Sequence, residues 1–101
     1  MADITTTIER EWLADIISGI KTVEYRDIKP YWRRRLARVT LPFELRLING
    51  MQRSAPEVTV LVDRIRTDSA RRRYELHIGR VIAFANWDKR RRLPKRAAGR
   101  R

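Results

Sequence analysis

The sequence has no cysteine, so disulfides, thiolate zinc sites and cysteine nucleophiles are excluded. Nothing in it calls for an oxidising compartment, and a cytoplasmic setting is expected. Histidine is almost as scarce: His77 stands alone, which rules out a multi-histidine metal centre, and no grouping of acids suggests another, so no metal is expected. No apolar run reaches the length of a membrane span, and the N-terminal MADITTTIERE carries acids where a leader peptide would carry bases, so no membrane partner is expected. A Walker loop, a G-x-S-x-G elbow and a paired-acid motif are also missing, and with them any indication of a cofactor.

What the chain has in excess is positive charge, with 24 Lys and Arg against 12 Asp and Glu for a formal net charge of +12. A polyanion is the partner that such a balance favours. Arginine outnumbers lysine, which suits bidentate phosphate contacts and stacking on bases, although a base-composition bias in the gene would enrich arginine without function. Within 87–101, WDKRRRLPKRAAGRR, the bases include Arg90, Arg91 and Arg92 and face Asp88 alone. Such a block repels itself and has little apolar content, so the reading is one folded unit over 1–86 and a flexible basic tail over 87–101.

Inside the folded unit, Ile8, Trp12, Leu13, Ile16 and Ile17 recur on one face of a 3.6-residue period, and the helix begins near residue 9 with Trp12 in the core. Thr6-x-x-Glu9 fits a capping box, but Ile4 and the three threonines favour a short strand ahead of the helix. Gly19 falls where a left-handed cap would end it. KTVEYR then reads as a strand, and Pro30 opens a short helix carrying Tyr31, Trp32 and the Arg33, Arg34, Arg35 run. FELRLING alternates as a half-buried strand, VTVLVDRIR as a buried one, and YELHIGRVIAF as a last strand broken at Gly79. The order β, α, β, short α and then strands, with no βαβ period, points to an α+β protein: a small barrel or curled sheet with one or two flanking helices.

The stretch GIKTVEYR carries the most chemistry. Gly19-x-Lys21-x-x-Glu24-x-Arg26, following an amphipathic helix and entering a strand, resembles the G-x-K-x-x-E-x-R signature of the ASCH domain, a family of the PUA-like superfamily. The likeness spans roughly residues 4 to 85. It implies a small PUA-like β-barrel that binds RNA or nucleotides in a cleft beside the barrel. Some members of the family are hydrolases, acting on acylated cytidine nucleosides or on RNA. In the amidohydrolases the position of Glu24 is a threonine nucleophile supported by the lysine matching Lys21; Glu24 departs from that pattern, and Thr22 would need a two-residue slip to replace it.

The residues supply their own test of the resemblance. In an ideal strand Glu24 and Arg26 share a face and Lys21 lies on the other, so the three converge only if Lys21 belongs to the turn after Gly19. Converged, Lys21 and Arg26 would contact phosphate or a base carbonyl while Glu24 accepts an exocyclic amine or holds the arginine; otherwise Glu24 and Arg26 form an exposed pair of small energetic weight. Tyr31 beside Arg33, Arg34 and Arg35 offers a stacking platform next to phosphate contacts, whereas Trp32 reads as a cap on the core. His77 alternates away from Tyr74, Leu76 and Ile78 and reads as structural. Three functions remain open: an RNA- or nucleotide-binding module, a hydrolase with Lys21 and Glu24 as its reactive pair, and a basic protein that binds or inhibits another protein.

Overall fold

The computed structural model describes residues 2–95. The chain forms β1 (Ile4–Thr7), α1 (Arg10–Ile17), β2 (Val23–Asp27), α2 (Pro30–Ala37), β3 (Phe43–Ile48), β4 (Glu57–Asp68), β5 (Arg73–Ala85), β6 (Trp87–Asp88) and β7 (Leu93–Pro94). The threonine-rich start is a strand and not a capping box: Glu9 occupies the N-cap of α1 in extended geometry, and no side chain caps the helix. Pro30 stands in the first turn of α2, where its missing N–H costs nothing.

Five strands build one sheet in the order β1-β3-β4-β5-β2. The β1–β3 pair is parallel and the others are antiparallel. The long β4–β5 ribbon is the spine. β3 pairs with residues 57–62 of β4 and β2 with residues 73–77 of β5, so these two partners lie towards opposite ends of the ribbon. The β4–β5 register shifts at Thr59/Val60 and Leu61/Val62, within the end that pairs with β3, and at Val62/Arg64 beyond it. Bulges of this kind bend a strand and deepen its twist, which curls the sheet into a half-barrel. β5 is continuous through Gly79, contrary to the break expected there. The glycine instead leaves room for the Asp63 carboxylate, which a Cβ at this position would meet.

The concave side holds the core. Leu45, Leu47, Val58, Val60, Val62 and Leu76 from the sheet meet Leu13, Ile16 and Ile17 of α1, and Trp32 of α2 closes one end. Each such side chain contributes on the order of 1.5–3 kcal/mol through burial. Trp12 is not part of this core, as its place in the helical stripe suggested, but 43% exposed. Leu13, Ile16 and Ile17 centre the buried stripe, and Trp12 sits at its margin about a quarter-turn away.

The basic segment departs further from expectation. Trp87 is 2% exposed and belongs to the core, and β6 and β7 pair as a small hairpin. Asp88 accepts the Arg91 N–H at 3.1 Å within its turn, and the Arg92 guanidinium donates to Asp15 Oδ1 at 2.8 Å and Ser18 Oγ at 3.1 Å on α1. Charge density alone argued for a mobile tail from residue 87; one buried tryptophan and one acid per turn outweigh it as far as residue 95. Residues 96–101 of the expected tail lie outside the described residues. No helix among the described residues is long and apolar enough to cross a membrane.

Candidate functional site

Whether Lys21 joins Glu24 and Arg26 is settled by the end of α1. Gly19 adopts φ +86°, and its N–H donates to Ile16 O at 3.1 Å. The Lys21 N–H then donates to Asp15 O at 3.0 Å, so the lysine belongs to the turn and escapes the alternation of β2. Its Nζ comes within 3.4 Å of Glu24 Oε1, while Arg26 Nη2 lies 2.6 Å from Glu24 Oε2. One carboxylate is thus held by a cation on each oxygen. Glu24 is only 5% exposed, so this is a shielded cluster rather than a solvated surface pair. Two cations against one anion leave it net positive, and each carboxylate oxygen retains a lone pair for a further donor.

β1 and β2 are the two edges of the curled sheet, and this cluster links them through a side chain. Arg26 Nη2 donates to the Thr7 carbonyl at 2.9 Å, a single strap across the seam of the half-barrel. Beside it opens a cleft of about 390 Å³ lined by Thr7, Ile8, Glu9, Trp12, Glu24 and Arg26. Aromatic rings flank the cations: Lys21 Nζ stands 5.2 Å from the Trp12 ring centroid and 5.0 Å from that of Tyr25, and the Arg26 guanidinium lies 5.2 Å from that of Trp32. These distances are within cation–π range. Arg26 Nε has no protein acceptor among the described residues.

The other sequence candidates are distributed unevenly. Tyr31 and Arg34 line a cavity on α2, together with Arg35, whose guanidinium lies 4.8 Å from the Tyr31 centroid. Arg33 is exposed and lines neither this cavity nor the cleft. Arg92 is a strut to Asp15, Arg91 reaches Asp88 at 3.8 Å, and none of Arg90, Arg91 and Arg92 lines the cleft. His77 pairs with Val23 in the sheet, on the face opposite Glu24, with its Nε2 3.5 Å from Glu75 Oε1. Among the described residues no three His, Asp or Glu side chains are grouped as metal ligands.

Two site residues escaped the sequence reading. Trp12 lines the cleft because it falls just outside the buried stripe, which only its absolute phase against the sheet could reveal. Arg38 lines the α2 cavity, and its signal was present: Tyr31, Arg34, Arg35 and Arg38 follow i, i+3, i+4, i+7 spacing.

Together these features define a class: a small α+β protein with a cleft at the seam of a curled sheet, where Arg26 and Trp12 face Glu9 and Glu24, and Lys21 holds Glu24 from outside the lining. Compared with family models, with curated proteins and with solved structures, the chain gives no match. The functional reading therefore rests on the residues themselves.

Proposed function

We propose that this chain is an RNA- or nucleotide-binding module of the ASCH type, on a PUA-like half-barrel, and that the seam cleft is its binding site. One observation carries the reading: the turn at Gly19 brings Lys21, Glu24 and Arg26 into one shielded cluster beside the exposed Trp12. The remaining lone pairs of Glu24 suit an exocyclic amine of a base, Lys21 and Arg26 suit a carbonyl or phosphate oxygen, and Trp12 supplies a ring on which a base can stack. The same clamp disfavours the hydrolytic reading, because a carboxylate engaged by two cations is positioned to orient charge more than to take a proton from water.

Titration of the full chain with nucleoside 5′-monophosphates by calorimetry tests this. The wild type binds at least one of them, and Lys21→Ala weakens that binding by roughly ten-fold, the cost of about one charge-assisted hydrogen bond. Circular dichroism of the variant stays that of the wild type. Equal binding by the two proteins would remove the cleft from the account, and a product released on incubation with RNA or an acylated cytidine nucleoside would favour the enzyme reading.

A further inference from the structure

The cleft is not isolated. Arg26 also lines a second concavity of about 440 Å³, shared with Tyr25, Asp27, Lys29, Tyr31 and Trp32. Tyr31 in turn lines a third, also about 440 Å³, whose wall is the Arg34, Arg35 and Arg38 stripe of α2. Shared residues thus link three hollows into a track from the seam, over the Arg26–Trp32 stack, to the outer face of α2.

The far hollow has the chemistry of an anion site. Among the described residues no carboxylate lies within 4.0 Å of Arg34, Arg35 or Arg38, whereas most other arginines of the sheet and its hairpins are paired. Asp3 also lines this hollow, but its Oδ2 accepts the Glu44 N–H at 2.8 Å, so one anion engaged elsewhere faces three cations. Three guanidinium groups cost free energy through mutual repulsion, which an anion among them relieves. The Tyr31 ring, 46% exposed with Arg35 stacked on it, stands between the middle hollow and this one.

We infer that the Tyr31, Arg34, Arg35 and Arg38 hollow is a phosphate subsite, and that the ligand of the whole track is a single-stranded oligonucleotide rather than a free nucleotide. The inference rests on the reading of the seam cleft as a nucleotide site. A base held at Lys21, Glu24 and Arg26 places the neighbouring backbone along β2 towards α2, where Tyr31 stacks an adjacent base and the arginine stripe neutralises a phosphodiester. A duplex would bury the base edges and faces that the cleft and Tyr31 require.

The test compares a labelled single-stranded oligoribonucleotide with a nucleoside monophosphate, on the full chain, across a salt series. Arg34→Ala/Arg38→Ala binds the oligonucleotide roughly ten-fold more weakly, and its log–log salt slope falls by roughly 0.7, the value for one phosphate on a single strand. Its affinity for the monophosphate is unchanged. Arg34→Ala and Arg33→Ala each remove one positive charge, from opposite sides of α2; the first lowers the slope and the second leaves it nearer to wild type, which separates a built subsite from a general effect of net charge. A deoxyribonucleotide arm reports whether the sugar is read, and a duplex arm binds more weakly than the single strand.

If the monophosphate binds but the oligonucleotide binds no more tightly, or if Arg33→Ala matches Arg34→Ala, the subsite is overturned and the cleft survives. If the wild type binds neither probe, the cleft reading and the subsite fall together.

Discussion

At the scale of single residues, charge is organised in clusters whose purpose differs by location. Glu24 gathers two cations at the seam, beside the cleft. Asp68 and Glu75 gather cations for the fold. Asp68 caps the β4–β5 turn, accepting the Arg71 N–H and guanidinium, with Arg73 nearby; that backbone hydrogen bond, foremost, holds its carboxyl below the usual 3.8. Glu75 is held below 4.5 first by its hydrogen bond from Arg66, with His77 adding to the effect and burial and the Asp68 charge opposing it. A carboxylate depressed in the folded state contributes stability that is present above its unfolded pKa and is lost as pH falls through the folded one. The melting temperature is therefore expected to drop as pH is lowered from about 5 to about 3. In Asp68→Asn/Glu75→Gln it starts lower at neutral pH and falls less across that window, as differential scanning fluorimetry would show; a fall as steep as in the wild type would mean that other groups dominate acid unfolding.

Residue-scale legibility followed the same division. For Lys21, Glu24 and Arg26 the residues gave the condition of convergence and left its outcome open, since it depends on a local event, the left-handed turn at Gly19. Trp12 was not legible, because helical spacing fixes which residues share a face but not how that face is phased against the sheet.

At the scale of elements, α1, α2 and the alternating strands were legible from periodicity and from Pro30. The parallel pairing of β1 with β3 was not: four residues carry little pattern, and their partner lies some forty positions away. The β6–β7 hairpin was hidden for a different reason, since a run of arginines masks the single buried ring that anchors it. Truncation after residue 86 removes Trp87 from the core together with the Arg92–Asp15 clamp, so it should fail to give a cooperative unfolding transition or lower the melting point sharply. Trp87→Ala should cost about 3–5 kcal/mol in urea unfolding, the range for deleting a buried tryptophan. An unchanged midpoint would show that the hairpin is an appendage after all.

Across the whole molecule, net positive charge and the curl of the sheet act together. The bulges in β4 and β5 curl the sheet, and Arg26 of one edge strand reaches the Thr7 carbonyl of the other. The seam of a half-barrel is a cleft by construction, and here Arg26, Trp12, Glu9 and Glu24 line it. Overall charge was legible from composition, but its partition into struts such as Arg92 and a stripe, Arg34, Arg35 and Arg38, without a carboxylate partner among the described residues appears only once the carboxylates are placed.

The three tryptophans supply the most direct measurement of the central claim. Trp12 lines the cleft, Trp32 stacks on Arg26 beside it, and Trp87 lies in the core, so the indole N–H signals of a ¹⁵N-labelled full chain form two reporters and an internal control. On titration with a single-stranded oligoribonucleotide, the account predicts shifts of the Trp12 and Trp32 indoles and of the Lys21 to Arg26 amides, with Trp87 unmoved. Binding that leaves all three indoles and the Lys21 to Arg26 amides in place would contradict it.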